Sequence, residues 1–134
     1  MARNAITGDT KLIAVTQLTS SSNEMVQNEQ NIKLSIDESA LSLAKLSKVA
    51  GLDGVVCSAL DSLNIKNHCG EEFLTISPGI RRACDSVGDQ NRIVTPSDAN
   101  KNLCNYIVVG RPITQSDDPY TSYNDILKEF RGEL

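Results

Sequence analysis

Short apolar segments alternate with stretches of helical periodicity along this chain. The apolar segments are residues 12–15, 55–57, 73–76 and 106–109. Brief, continuous apolar runs of this kind are typical of strands buried on both faces. The pattern therefore predicts four strands, each followed by polar sequence that contains glycine, proline or hydroxyl residues.

The segments between these strands carry helix signals. Ser35 and Glu38 have the spacing of a capping box, and apolar residues then recur at three- and four-residue steps as far as Gly51. Helices are also predicted around residues 60–69 (a short one), from Thr95-Pro96 to about Leu103, and after Asp118-Pro119. The helix after Asp118 has its apolar face formed by Tyr123, Ile126, Leu127 and Phe130. Residues 20–33 are expected to form a loop with a short helix, and residues 81–94 a long polar loop.

Strands and helices alternate in the order β-α-β-α-β-α-β-α, which predicts a parallel α/β architecture. A doubly wound sheet and a β/α barrel both fit this alternation. In either architecture, ligands bind where the strands end. The places to search for function are therefore residues 16–20, Ser58, residues 78–81 and residues 110–111.

Composition limits the function classes. The chain is 40% hydrophobic and 22% charged, as expected for a folded globular protein. The net charge of −4 and the pI of about 4.9 give no reason to expect nucleic acid as a partner. No apolar run is long enough to span a membrane, and residues 1–9 lack the apolar region of a secretory signal. We expect a cytoplasmic protein with no membrane partner.

The cysteines do not favour a metal site. Cys57, Cys69, Cys84 and Cys104 lie far apart, with no CxxC pair, and the one histidine is His68. A zinc site usually needs closer ligand pairs, so reduced cysteines are the better interpretation. We expect His68 to be a solvated residue at a helix end, and we expect no metal ion and no cofactor.

Two strand-end segments could bind an anion. Gly110 would allow a ligand to approach the backbone, and Arg111 offers a forked donor for phosphate, although an exposed arginine after a strand is also a common structural feature. Residues 77–81 lead into a long loop that contains an amide and a second arginine, which could close over an anionic ligand or be an ordinary connection. The hydroxyl groups of residues 16–20 could bind a polar ligand or cap a turn.

Five blocks of this sequence resemble bacterial orotidine 5′-phosphate decarboxylase, in that family's order. They are LIAVTQLTS (12–20), GLDGVVCSA (51–59), PGIR (78–81), GDQ (88–90) and YIVVGRPIT (106–114). The resemblance implies an α/β fold, the C-terminal half of a (β/α)8 TIM barrel with four parallel β/α units. It also implies that residues 1–134 form a single domain equivalent to strands five to eight. Three residues depart from the family pattern: Arg82 and Cys84 stand where the family is expected to have a Pro-containing stretch, and Asn105 stands where it usually has an aspartate.

The resemblance implies a substrate-binding role for five residues. Thr19 would lie by the pyrimidine, Gln90 would bridge phosphate and pyrimidine, and Gly110 and Arg111 would bind the phosphate. The fifth, Arg81, matches the arginine of the PGIR block. The implied ligand is orotidine or uridine 5′-monophosphate, and the implied reaction is decarboxylation of the former to the latter in pyrimidine synthesis.

No catalytic residue is assigned in this chain. The family's Asp-x-Lys-x-x-Asp segment is absent, and Asp9-Thr10-Lys11 precedes the first strand instead of following one. We therefore expect the isolated chain to be inactive without the N-terminal half. A half-barrel has open edges, so we expect a homo-oligomer or a complex with a complementary N-terminal half. The alternatives are a non-catalytic module that binds nucleotide phosphate and an inactive gene remnant or piece of a longer protein.

Overall fold

A computed structural model describes residues 2–82 and 92–133 of the chain. Four strands form a parallel sheet: β1 (Ile13–Val15), β2 (Gly54–Val56), β3 (Leu74–Ser77) and β4 (Tyr106–Ile107). All four lie where the hydrophobic pattern predicts them. The last strand is shorter than its apolar run, although the Val108 amide still donates to the Ser77 carbonyl at 2.9 Å.

Helices connect the strands. They are α1 (Ala2–Ala5), α2 (Ile36–Val49), α3 (Ala59–Cys69), α4 (Pro96–Lys101), α5 (Arg111–Thr114) and α6 (Pro119–Arg131). A π-helical turn at Met25–Glu29 accounts for the short helix expected within residues 20–33. The capping box of Ser35 and Glu38 is confirmed, because each side chain accepts a hydrogen bond from the other residue's backbone N–H. The sequence pattern did not predict α1 and α5.

The order of the strands distinguishes between the two architectures. In the sheet the order is β1-β2-β3-β4, and each pair is parallel. A doubly wound sheet reverses its strand order at a switch point, whereas a β/α barrel adds each strand beside the one before it. The chain therefore has the arrangement of half of a β/α barrel, which confirms the predicted fold class.

The hydrophobic core lies between the sheet and the helices. One cluster of buried side chains joins β2 to α2 and α3, and includes Ala44, Val55 and Ile65. A second cluster joins the end of β3 to α4 and α6, and includes Ile80 and Ala99. The apolar face predicted for α6 is only partly correct. Ile126 is buried there, but Tyr123 is 52% exposed.

Within residues 2–82 and 92–133, no helix packs against the other face of the sheet, which is called the uncovered face below. The strand register places Val15, Val56, Ile76 and Tyr106 in one row across the sheet. This row faces away from the helices, because its neighbours along the strands, such as Val55, are the residues that enter the core. Val15 and Tyr106 are 57% and 56% exposed. In a complete barrel such side chains fill the interior.

Asn105 accepts two hydrogen bonds in a partly buried contact, although the residue itself is exposed. Its Oδ1 accepts from the Lys66 ammonium at 2.8 Å and from the Thr75 amide at 3.0 Å. Lys66 is buried and also donates to the Glu71 carbonyl at 2.8 Å. The Asn105 side chain therefore ties α3 to β3 and to the segment before β4.

The cysteines described by the structure are unpaired thiols. Cys57, Cys69 and Cys104 are buried, whereas Cys84 lies outside the described residues. The prediction for His68 is confirmed, since it is exposed and lies in the last turn of α3.

Cys57 should be unreactive in the folded chain. Burial raises the pKa of its thiol to about 12, and the nearby Asp61 and Cys104 add to the rise. At pH 8 only about one thiol in ten thousand would be ionised, and the thiolate is the reactive form. Brief treatment with iodoacetamide followed by peptide mass spectrometry should leave Cys57 unmodified. The same treatment in urea should modify it fully, and equal labelling under both conditions would contradict the prediction.

Candidate functional site

The segments that follow the four strands lie at one edge of the sheet, because parallel strands end on the same side. The backbone ladder continues a short way into these segments. The Thr16 amide donates to the Val56 carbonyl at 3.0 Å, and the Cys57 amide donates to the Ile76 carbonyl at 3.1 Å. The residues just beyond this ladder, which include the predicted binding residues Thr19 and Arg111, therefore lie along one edge of the sheet, called the rim below.

Thr19 contacts the segment that follows β3. It is buried, and a Cβ atom added at Gly79 would lie only 3.2 Å from its Cβ, Cγ2 and Oγ1 atoms. Gly79 has a φ of +77°, a conformation that residues with a side chain rarely adopt. The glycine of the PGIR block thus serves two purposes, since it allows the turn and leaves room for Thr19.

Arg81 lies two residues beyond Gly79 and is held close to the backbone. Its side chain is mostly buried, and Nη1 donates to the Ile80 carbonyl at 2.7 Å. The chain returns to this point at Val94, which forms a parallel bridge with Ile80 and accepts a hydrogen bond from the Arg81 amide at 3.1 Å. The structure therefore brings Thr19 and the start of the Arg81 segment together.

Gly110 and Arg111 follow β4 at the same rim, and both are exposed. Gly110 precedes α5, and a Cβ atom there would meet nothing within 4 Å. Arg111 is the first residue of α5. Gln90, the remaining predicted binding residue, lies outside the described residues. The binding roles of all five residues remain predictions.

An ion pair beside this rim was not foreseen from the sequence. Arg92 makes a two-pronged contact with Asp61, in which Nη1 donates to Oδ2 at 2.8 Å and Nη2 to Oδ1 at 2.7 Å. Nη2 also donates to Asp37 Oδ1 at 2.7 Å. Burial raises the pKa of the Asp61 carboxyl, and the contact with Arg92 acts in the opposite direction. The second arginine of the loop is therefore paired with protein carboxylates, and no local sequence signal links it to residues 31 and 55 positions away.

A polar cleft of about 380 Å³ opens next to this ion pair. It is lined by the helix starts of α2 and α3 and by residues 21–23, together with Arg92.

Within the described residues, no group of three or more His, Cys, Asp and Glu side chains is placed to hold a metal ion. Across the same residues, no helix is both long and apolar enough to span a membrane.

The fold and the position of this rim place the chain in the class of β/α-barrel proteins. The model of the "Orotidine 5′-phosphate decarboxylase / HUMPS family" matches residues 1–126. An orotidine 5′-phosphate decarboxylase from Staphylococcus haemolyticus is 52% identical over 124 residues, which cover 92% of this chain and 54% of the relative. That from Staphylococcus aureus strain Newman is 54% identical over 122 residues, covering 91% and 53%.

Solved structures of orotidine 5′-phosphate decarboxylases also match the fold of this chain. The orotidine 5′-phosphate decarboxylase of Lactobacillus acidophilus matches with a TM-score of 0.74 and 45% identity, over 90% of this chain and 49% of that one. The enzyme from Methanocaldococcus jannaschii, solved in complex with the inhibitor BMP, matches with a TM-score of 0.59 and 25% identity, over 94% and 52%. The chain belongs to the orotidine 5′-phosphate decarboxylase / HUMPS family, and it spans about half the length of the curated relatives it matches.

Proposed function

We propose that this chain provides the phosphate and pyrimidine side of an orotidine 5′-phosphate decarboxylase site. The observation that carries the proposal is the identity of 52–54% to decarboxylases, which extends over more than nine-tenths of the chain. The rim described above agrees with it, because Thr19, Arg81, Gly110 and Arg111 all follow strands of one parallel sheet. The related enzyme solved with the inhibitor BMP supports a nucleotide as the ligand.

Arg111 is the residue best suited to test nucleotide binding. It is exposed, so its replacement should leave the core intact, whereas Arg81 is buried against the backbone. A guanidinium binds phosphate oxygens through two parallel N–H donors, and such charge-assisted bonds are stronger than neutral ones. The phosphate would then supply binding energy at a distance from the reacting carbon.

Arg111→Ala should weaken binding of uridine 5′-monophosphate by about 10- to 100-fold, the loss of one strong charge-assisted contact. Isothermal titration calorimetry on the purified chain measures this. Arg131→Ala is a matched control, because it removes the same charge from an exposed position near the end of α6. Equal affinities for Arg111→Ala and the parent would contradict the proposed phosphate contact.

We further propose that decarboxylation requires residues from another polypeptide segment. The expected Asp-x-Lys-x-x-Asp array does not occur in the 134 residues. Proton transfer to the reacting carbon needs a cation and its partner carboxylates at one point, and the described rim offers no lysine after a strand. The second candidate function is binding of nucleotide without catalysis. The residues of the rim support this function as well as they support a part in decarboxylation.

The uncovered sheet face is the surface through which such a segment would dock. It carries Val15, Tyr106 and Val108, which are 57%, 56% and 52% exposed. An apolar groove of about 290 Å³ lies beside it between β4 and α6, where Val109, Tyr123 and Phe130 contribute to the lining. Since the relatives are about twice as long as this chain, we propose that four further β/α units cover this face.

Without those units, the purified chain should associate with itself through the same face. Light scattering at micromolar concentration should give a mass above that of the monomer, and Val108→Asp should weaken the association at least about tenfold, because the new carboxylate would lose its hydration. Leu46→Asp is the control, since Leu46 is 64% exposed on the outer side of α2. A stable monomer would count against this proposal.

A further inference from the structure

Arg92 is held in place by a buried ion pair with α3. Its side chain is 10% exposed and that of Asp61 is 5% exposed, so both partners are largely removed from water. The contact is two-pronged, at 2.7 and 2.8 Å, which fixes the plane of the guanidinium as well as its distance. Asp61 lies in the first turn of α3, directly after β2. Asp37 adds a third contact from α2, but its side chain is 66% exposed.

The backbone around Arg92 is bonded to both segments that carry predicted binding residues. The Arg92 amide donates to the Thr19 carbonyl at 3.2 Å, and two residues later the Val94 carbonyl accepts from the Arg81 amide at 3.1 Å. Thr19 in turn packs against Gly79. Residues 92–94 therefore join the segment that follows β1 to the segment that follows β3.

We infer that Arg92, anchored by Asp61, is a positioning residue that sets Thr19 relative to Arg81. This inference rests on the proposed function, because it assigns a purpose to residues whose binding roles are proposed. A free arginine in a loop near a phosphate site would bind the anion itself. Both Nη atoms of Arg92 instead donate to the carboxylates of Asp61 and Asp37. The influence of Arg92 on a ligand therefore passes through Thr19 and Arg81.

The ion pair would contribute mainly to the recognition of the base. Thr19 is the residue predicted to lie by the pyrimidine, whereas Gly110 and Arg111 are predicted to hold the phosphate and lie on a different segment. Displacing Arg92 should therefore weaken binding of uridine 5′-monophosphate more than binding of ribose 5-phosphate, which lacks the base. A general loss of structure would weaken both ligands to the same extent.

The test compares Asp61→Asn and Arg92→Lys with the control Asp37→Asn. Asp61→Asn removes the buried charge at constant size, and Arg92→Lys keeps the charge but cannot form the two-pronged contact. Each should weaken uridine 5′-monophosphate binding about tenfold and ribose 5-phosphate binding less than twofold. Asp37→Asn, at the exposed contact, should change neither by more than about twofold. The double variant with both Asp61→Asn and Arg92→Lys should bind uridine 5′-monophosphate no more weakly than the more weakly binding single variant, because both changes break the same interaction.

Hydrogen exchange gives a readout that needs no ligand. In Asp61→Asn, the amides of Arg92 and Arg81 should exchange at least about tenfold faster, while the Cys57 amide, bonded to Ile76 within the sheet, should keep its rate. Equal losses for both ligands, or faster exchange at all three amides, would show a merely structural role and overturn the inference. A parent chain that binds neither ligand would overturn the proposed function, and exchange alone would then decide whether the ion pair holds these segments.

Discussion

The 134-residue chain alone should decarboxylate orotidine 5′-phosphate with a kcat/KM at least about 10⁴-fold below that of the Staphylococcus haemolyticus relative. The expected loss is large because general acid catalysis and electrostatic stabilisation would both be missing. The proposed phosphate contacts would supply binding energy, but they could not deliver a proton to the reacting carbon. A spectrophotometric assay of both proteins under the same conditions measures the ratio.

Adding the half of a related decarboxylase that this chain does not match should restore the reaction. The portion of the Staphylococcus haemolyticus relative outside the matched region is a suitable partner, because the matched region is 52% identical to this chain. Co-purification of the two polypeptides with recovered turnover would support the proposed division of the site. Arg111→Ala in the same mixture should lower the recovered kcat/KM.

Each other outcome has a distinct meaning. Near-normal turnover by the chain alone would contradict the proposal that the catalytic Asp-x-Lys-x-x-Asp array comes from another polypeptide segment. Saturable binding of uridine 5′-monophosphate with no recovered turnover would favour the non-catalytic binding module. Absence of binding by the chain and by the mixture would favour a remnant without selected activity.

Gly54→Ala should lower the free energy of unfolding by about 3 kcal/mol or more, or prevent folding. Gly54 lies in β2, which pairs with both β1 and β3. An added Cβ atom would lie 2.3 Å from the Leu74 carbonyl oxygen and 2.6 Å from the Leu74 Cβ. Neither atom belongs to a flexible side-chain end, so the two strands would have to move apart. Urea unfolding followed by circular dichroism, at one fixed protein concentration, measures the change.

Gly51→Ala is the matched control for Gly54→Ala. Gly51 lies in the turn before β2, with a φ of +79° and nothing within 4 Å of an added Cβ atom. Its replacement should therefore cost only the strain of the left-handed conformation, about 1–2 kcal/mol. If Gly54→Ala cost no more than Gly51→Ala, the close approach of β2 and β3 would be disproved.

Local signals in the sequence were enough for much of the fold. Ser35 and Glu38 lie three positions apart, so their capping box forms within one helical turn and can be predicted without knowledge of any other element. The same holds for Thr95 and Asp118, whose side chains accept from the amides three residues later. The short apolar runs marked all four strands, because each was bounded by glycine, proline or hydroxyl residues.

Solvent exposure along the helices was predicted less well. In α2 the apolar periodicity included Leu46, which is 64% exposed, while Ala40 and Ala44 are fully buried. Periodicity shows which residues share a face, but what covers that face depends on elements distant in the sequence. The short helix α5 was missed because it comprises only Arg111–Thr114, too few residues to produce a periodic signal.

The sequence by itself determined the family, the order of strands and helices, and the residues that follow each strand. It could not decide between a doubly wound sheet and a barrel from alternation alone, because both share that alternation; the resemblance and then the order β1-β2-β3-β4 did so. Only the tertiary structure placed Arg92 on Asp61 and Asp37, and only it set Thr19 against Gly79. These contacts join residues more than 30 positions apart, so they exist only after the sheet has brought its strand ends together.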